Sequence, residues 1–319
     1  MNLSKGQYWD QSWSPIRGCS HASPGCNSCW AERMAGRFCG DTQDPRIKDT
    51  SATFYGFAAR GTWTGRVDLI ESELQKPLHW KRPRVVALNW MGDLFHERVP
   101  FEDIMRTVRV MQQAYWHKYL ILTKRSTRLL EFTRWMGAAE HWVWPLWCAL
   151  GVSVEDQQRA NERIPDLLAT PAAMRFMSGE PLLGTIKCFP DGAFTEKQRF
   201  PAGFDIWTDA KRDEWFKGTA RATYMSRQTG IDWVIVGGES GPGARPCDVA
   251  WVRSIVAQCK AAGTKCFVKQ LGANPTGWKF PNLPDAEVAP LRDRKGADAS
   301  EWPEDLRVRE LPEWMGGKP

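Results

Sequence analysis

The chain has 319 residues, of which 42% are hydrophobic and 25% are charged, and its formal net charge is +6. This length is enough to bury a large core and fits one barrel-type domain with decorations. The charge permits attraction to phosphates, but it falls short of the dense basic patch that marks a dedicated nucleic-acid binder. No apolar run is long enough for a signal peptide or a membrane span, which predicts a cytoplasmic protein without a membrane partner.

The first predicted element is a strand within residues 7–19 that leads into a loop with three cysteines. Cys19, Cys26 and Cys29 follow the spacing Cys-x6-Cys-x2-Cys. In a reducing compartment such thiols stay reduced or bind metal. The other six of the nine cysteines are scattered in mostly apolar surroundings and are interpreted as small core residues.

Short apolar runs then alternate with helix-like stretches along the chain. Helices are predicted at 101–116, where apolar residues recur with helical spacing, and at 156–170, where Asp156 stands in the capping position. Continuously apolar strands that alternate with helices predict an α/β fold whose parallel sheet is covered on both faces or closed into a barrel. The predicted strand segments are 84–97, 118–126, 146–156, 174–182, 232–241 and 265–272.

Polar residues follow each of these strands. In a (β/α) barrel the chemistry lies on the loops at the carboxyl ends of the strands, so these residues are expected to converge on one rim. The rim candidates, beyond the cysteines, are Asn89, Asp93, Lys124, Arg125, Ser153, Glu155, Ser178, Glu180, Glu239, Lys269 and Gln270.

The three thiols allow two metal assignments. Three thiolates can hold three irons of a [4Fe–4S] cluster and leave one iron open, where S-adenosylmethionine binds and is cleaved reductively to a 5′-deoxyadenosyl radical. Alternatively, His21 together with Cys19, Cys26 and Cys29 makes a Cys3His zinc set. The position of the loop at the end of the first predicted strand favours the cluster.

Several motifs in order resemble the phage Gp37/Gp68 family (DUF5131), a radical-SAM-like group. The resemblance implies a partial TIM-type (β/α)6–7 barrel of the radical SAM kind, a [4Fe–4S] cluster on the three cysteines, and S-adenosylmethionine. The chain departs from the common radical-SAM pattern because the spacing is six then two residues and the aromatic Trp30 follows the last cysteine. The motifs are SWSPIRGCSHASPGCNSCWAERM, LNWMGDLFHERVP, ILTKRS, LGVSVEDQQRANERIPDLL, RFMSGEPLLG, DWVIVGGESGPGARP and WPEDLRVRELP.

With this cofactor, each rim residue acquires an expected role. Asp93, beside Asn89, is the candidate acceptor from the methionine ammonium, or alternatively the N-cap of the following helix. Lys124 and Arg125 suit the methionine carboxylate, or are solvated strand ends. Ribose hydroxyls or a substrate are expected to bind to Ser153, Glu155, Ser178 and Glu180. The loop that contains Glu239 is expected to contact adenine through its backbone. The substrate is expected to lie against Lys269 and Gln270.

The predicted organisation is a barrel over 1–272, an insertion over 187–230, and an extended tail over 273–319 that packs on the barrel. The mixed aromatic and charged insertion is either a substrate-facing subdomain or a solvated decoration. The expected function is radical modification or isomerisation of a hypermodified thymine base in phage DNA, in the host cytoplasm, with an external electron donor of flavodoxin or ferredoxin type. A zinc-stabilised nucleic-acid binder, or a radical enzyme acting on a small metabolite or peptide, remains an alternative.

Overall fold

The computed structural model describes residues 1–40, 51–140, 144–189, 230–277 and 291–316. Its centre is a seven-stranded parallel sheet in which spatial order follows chain order. The sheet curls into a half-barrel, which confirms the predicted α/β fold and partial barrel. The strands are β1 (Gln11–Trp13), β2 (Val85–Leu88), β3 (Lys118–Thr123), β4 (Cys148–Ser153), β5 (Met174–Gly179), β6 (Trp233–Gly237) and β7 (Lys265–Gln270).

Helices follow the strands and cover one face of the sheet. The helices predicted at 101–116 and 156–170 are confirmed, and the Asp156 side chain caps the second by accepting a hydrogen bond from the Arg159 backbone N–H at 2.9 Å. The longer helices are α1 (Trp30–Arg37), α2 (Phe101–Gln113), α3 (Ser126–Glu140), α4 (Gln157–Ala169) and α5 (Val249–Ala262).

Short elements complete the described chain. Antiparallel pairs join Ile16–Arg17 to Asp68–Leu69 and Ala58–Ala59 to Thr62–Trp63, and a parallel pair joins Cys247–Asp248 to Pro275–Thr276. One-turn helices lie at Glu71–Leu74 and Glu313–Gly316, and 3₁₀ turns lie at Leu3–Lys5, Pro24–Cys26, Lys76–His79, Ala299–Glu301 and Glu304–Leu306. None of the helices in the described ranges is long and apolar enough to span a membrane.

The strands are apolar along their length because both faces of the sheet are buried. One face packs against the helices, with Leu150 and Val236 among its buried residues. The concave face packs side chains such as Phe176, Trp233 and Phe267 against one another inside the half-barrel. A parallel sheet covered on both sides requires this continuous burial, which explains why the runs do not alternate with polar residues.

Gly151 leaves the space that Phe176 fills on the concave face. A Cβ atom at position 151 would lie 2.4 Å from the Phe176 ring. Gly151→Ala is therefore expected to destabilise the fold by about 1–3 kcal/mol through overpacking. Urea unfolding measures this effect, and equal stability of the variant and the native chain would contradict it.

The C-terminal segment packs against the sheet. Arg309 donates hydrogen bonds to the backbone oxygen of Lys269 at 3.1 Å and to that of Leu3 at 2.6 Å. The Trp233 indole N–H donates to the backbone oxygen of Glu310 at 2.9 Å. Leu3 and residues 309–310 therefore lie beside β6 and β7, while Trp314 contacts Lys118 of β3 and Leu146 before β4. Of the predicted insertion over 187–230, residues 190–229 lie outside the described residues.

Candidate functional site

The cysteine loop leaves the sheet just beyond β1 and crosses its carboxyl edge. Gly18 begins the loop with a left-handed backbone, φ 87°, and pairs with Gly92 beyond β2. A Cβ atom on Gly18 would meet the Arg66 carbonyl oxygen at 1.9 Å, so only glycine fits there. Cys26 is buried, Cys19 and Cys29 are half-buried, and α1 starts directly after Cys29.

The three thiols are near enough for their charges to interact. Burial, followed by the charges of Asp93 and Cys26, raises the pKa of Cys19 to about 12 against the opposing charge of Arg125. Burial also raises the pKa of Cys29, and the Cys26 charge adds to the effect. Both raised pKa values keep the Cys19 and Cys29 thiols protonated at neutral pH.

Arg125, which follows β3, holds the first half of the loop. Its guanidinium is almost completely buried and lies 3.1 Å from the Asp93 carboxylate. It donates to the backbone oxygen of Ser20 at 3.1 Å and to the Cys19 sulfur at 3.9 Å, and it pairs with Glu97 at 2.9 Å. This cation is thus fixed beside the first thiol by two carboxylates.

Asp93 joins the ends of β2 and β3. Its carboxylate accepts hydrogen bonds from the Thr123 hydroxyl at 2.7 Å and the Lys124 backbone N–H at 3.1 Å. It also accepts from the Phe95 backbone N–H at 3.0 Å. Because α2 begins at Phe101, the alternative interpretation of Asp93 as the N-cap of that helix is wrong.

Glu155, which follows β4, anchors the second half of the loop. Its side chain is fully buried and lies 3.1 Å from the Lys124 ammonium and 2.9 Å from the Arg163 guanidinium. The Ser23 hydroxyl donates to it at 2.6 Å. Burial alone would raise the pKa of Glu155, but the two cations and the Ser23 hydrogen bond outweigh burial and lower it to about 2.

Gly25 lets the loop approach Glu155 closely. A Cβ atom on Gly25 would lie 2.3 Å from the Glu155 carboxylate oxygen. Gly25→Ala is expected to displace the loop because buried Glu155 cannot retreat. If the loop holds the iron–sulfur cluster that the sequence analysis expects, the iron bound after reconstitution should fall several-fold. The control is Gly184→Ala, whose Cβ would meet no atom of the described chain within 4 Å. Iron analysis of both variants tests this, and native iron content in Gly25→Ala would contradict it.

The loop after β6 holds the cysteine loop from a third side. Arg245 pairs with Glu239 at 2.7 Å and donates to the backbone oxygen of Pro24 at 2.8 Å. Arg33 of α1 donates to the backbone oxygen of Ser240 at 3.0 Å. Burial raises the pKa of Glu239, but its hydrogen bonds with Arg245 and the charge of Arg245 outweigh burial and lower it.

Asn89 is the rim candidate with an unpaired donor. Its backbone is left-handed, φ 58°, and its side-chain oxygen accepts from the Ile16 backbone N–H at 2.9 Å. The residue is buried, and its Nδ2 has no hydrogen-bond partner within the described chain. A buried unpaired donor is costly, which makes Nδ2 a natural contact for a ligand oxygen.

Three of the remaining candidates, Ser178, Glu180 and Lys269, contact one another in a second group. Lys269 lies 3.0 Å from Glu180, and the Ser178 hydroxyl donates to Glu180 at 3.3 Å. Ser153 is buried at the end of β4, and the Gln270 side chain donates to the backbone oxygen of Gly238 at 2.9 Å. The predicted residues thus divide into loop anchors and a separate acid–base pair.

The sequence analysis missed several anchoring residues, among them Ser20, Ser23 and Arg163. Ser20 and Ser23 lie inside the loop, where nothing in the sequence distinguishes them from other loop serines. Arg163 could have been found from the sequence. It lies in α4 on the same core-facing side as Ala160, Ile164 and Leu167. A charged residue at a core-facing helical position is rarely buried without a partner.

The zinc and iron–sulfur assignments both need metal ligands that come together at the cysteine loop. No group of three or more His, Cys, Asp or Glu side chains in the described ranges is arranged to hold a metal ion, and the His21 imidazole lies 2.9 Å from Glu32. The Cys3His zinc set is therefore not assembled. The same finding covers Cys19, Cys26 and Cys29 taken alone, so neither metal set stands assembled in the described part of the chain.

The family described as "Protein of unknown function (DUF5131)" matches residues 4–301. The match includes the cysteine loop and every strand of the half-barrel. Comparisons with curated proteins and with solved structures give no match.

Proposed function

The chain belongs to the DUF5131 family, and on that premise we propose that it is a radical S-adenosylmethionine enzyme. The observation that carries the proposal is the position of the three-thiol loop, which β1 delivers to the carboxyl edge of a parallel half-barrel. Enzymes built on such barrels carry their chemistry at this edge. The proposed reaction is the modification or isomerisation of a base in phage DNA.

Cys19, Cys26 and Cys29 would hold a [4Fe–4S] cluster. Such a cluster leaves one iron for S-adenosylmethionine, and the chemistry supplied there is reductive cleavage of the sulfonium to a 5′-deoxyadenosyl radical. Because the cleavage consumes one electron, the enzyme needs an external donor of the flavodoxin or ferredoxin type.

Some residues of the chain would bind the cofactor and others would position the cysteine loop. Asn89 Nδ2, with no partner in the described ranges, would donate to the carboxylate of the bound methionine moiety. Lys124 and Arg125 place positive charge beside the thiols, which favours their ionised forms. Asp93, Glu155 and Glu239 act as positioning residues because their carboxylates are engaged by cations of the loop framework.

Anaerobic purification and reconstitution with iron and sulfide test the proposal. The expected result is a brown protein that releases 5′-deoxyadenosine from S-adenosylmethionine when reduced with dithionite. A colourless protein that binds zinc in place of iron would contradict it, and so would a brown protein that leaves the sulfonium intact.

A further inference from the structure

The net positive charge of the chain is concentrated in two segments, residues 75–84 and 109–118, which we call the basic pole. Together they contain six Lys and Arg and no Asp or Glu. The whole chain has 43 Lys and Arg against 37 Asp and Glu, so the two signs balance at 37 each outside these segments. The basic pole therefore carries a charge equal to the whole formal charge of +6.

The two segments of the basic pole pack against each other at the amino ends of β2 and β3. The Trp116 indole N–H donates to the backbone oxygen of Trp80 at 3.0 Å. The Lys118 backbone N–H donates to the backbone oxygen of Arg84 at 2.9 Å, and the Trp80 and His117 rings contact each other with centres 5.6 Å apart. Because the strands are parallel, the basic pole lies at the end of the sheet opposite to the cysteine loop.

Three cations of the basic pole have no carboxylate partner. Lys81 and Arg82 are exposed and Arg84 is half-buried, and none of the three forms an ion pair within the described ranges. Lys76, by contrast, pairs with Glu73 at 2.5 Å. Guanidinium groups present a planar fork of donors that matches the oxygens of carboxylates and phosphates. The basic pole thus has both the charge and the donors to bind an anionic partner.

The aromatic residues of the basic pole favour a protein as that partner. Within the basic pole, which lies entirely in the described ranges, Tyr115 is the one exposed large hydrophobic residue, and it is 61% exposed. Its ring meets the Trp116 ring at 75°, and Trp116 and Trp80 are half-buried. A strand of bases needs successive exposed ring faces and a membrane needs a broad apolar face, and Tyr115 alone offers neither. Tyr and Arg are instead the residue types enriched in protein–protein interfaces.

We propose that the basic pole is a docking site for an acidic segment of a partner protein. Carboxylates of that segment pair with Lys81, Arg82 and Arg84, and an apolar side chain beside them packs against the Tyr115 ring. Docking at this end leaves the carboxyl edge of the half-barrel open. The electron donor of the proposed enzyme must approach the cysteine loop, so the docked protein is a second partner, and the inference does not depend on the proposed reaction.

Fluorescence anisotropy of the full-length protein tests the inference with a labelled peptide of repeated glutamate–glutamate–leucine units. A matched peptide with glutamine in place of each glutamate is expected to bind about tenfold more weakly or worse, because it offers no carboxylates. Added salt is expected to weaken binding of the glutamate peptide by screening its charges. Equal binding of the two peptides would overturn the proposal. Tighter binding of a charge-matched oligoadenylate, or of phosphatidylserine vesicles, would overturn it in favour of a nucleic acid or a membrane.

Substitutions in the basic pole provide the matching test on the protein side. Lys81→Gln with Arg82→Gln removes two exposed cations and is expected to weaken binding of the glutamate peptide about tenfold or more. Tyr115→Ala is expected to weaken it several-fold without changing its salt dependence. The control is Arg294→Gln with Lys295→Gln, which removes two exposed cations outside the basic pole and alters the net charge equally. Native binding by the Lys81/Arg82 variant, or an equal loss in the control, would overturn the proposal.

Discussion

Alanine at Cys19, Cys26 or Cys29 is expected to abolish both the iron–sulfur chromophore and the release of 5′-deoxyadenosine. Each thiolate would hold one iron of the proposed cluster, and a loop with two thiols cannot retain it while leaving one iron open. Visible absorbance, iron analysis and deoxyadenosine formation after anaerobic reconstitution measure the effect. The expected loss is complete, not graded, for each of the three variants.

Cys39→Ala is the matched control for this series. Cys39 is buried close after α1 in a separate small core with Phe54 and Phe57, so it shares the burial and the region of the loop thiols but not their proposed role. It is expected to bind native amounts of iron. If the loop variants kept native iron content, the proposed ligands would be wrong.

Glu155→Gln is expected to destabilise the fold by about 3–5 kcal/mol, because it leaves the buried Arg163 and the half-buried Lys124 without their carboxylate. The pKa of Glu155 supports this size: a fall from 4.5 to about 2 corresponds to about 3 kcal/mol. Glutamine keeps the volume of the side chain, so the loss reports on charge and not on packing. Urea unfolding at neutral pH measures it.

The same pair predicts how stability depends on pH. The pKa of Glu155 is lower in the folded state, about 2, than its ordinary value of 4.5. Its contribution is therefore complete above about 4.5 and is lost as the pH falls towards 2. The difference in unfolding free energy between the native chain and Glu155→Gln is expected to shrink over that interval. A difference that stayed constant would show that the carboxylate charge is not responsible.

Glu71→Gln is the control for Glu155→Gln. Glu71 pairs with Arg106 on the surface, where both side chains are largely exposed. Exposed pairs contribute about 0–1 kcal/mol because water screens them. If Glu71→Gln lowered the free energy of unfolding as much as Glu155→Gln, burial of the ion pair would not be the cause of the destabilisation.

Most of the fold could be predicted from the sequence, because apolar runs and helix periodicity are local signals. Each predicted strand segment contains a strand of the half-barrel, and Asp156 caps α4 as expected. The predicted helix at 101–116 overran α2, which ends at Gln113, since Tyr115 and Trp116 continue the apolar pattern beyond the helix. Helix termini depend on backbone geometry that such patterns do not encode.

The contacts between residues of the site could not be predicted from the sequence to the same degree. Strand ends predicted which residues reach the rim, but not which of them bind one another. Glu155 meets Ser23 from a loop 132 residues away along the chain, and no local pattern predicts such a pairing. The pairs of Glu239 with Arg245 and of Glu155 with Arg163, by contrast, span only six and eight residues.

The side chains that hold the cysteine loop belong to residues that are synthesised long after the loop itself. Its contacts with Arg125, Glu155 and Arg245 span 106, 132 and 221 residues. A nascent chain therefore exposes the three thiols well before these contacts can form. The contact with Arg245 forms only after β6 has joined the sheet. If the loop holds the proposed cluster, iron–sulfur insertion is expected late in maturation. Chains that end before residue 245 should then carry all three thiols yet bind little iron.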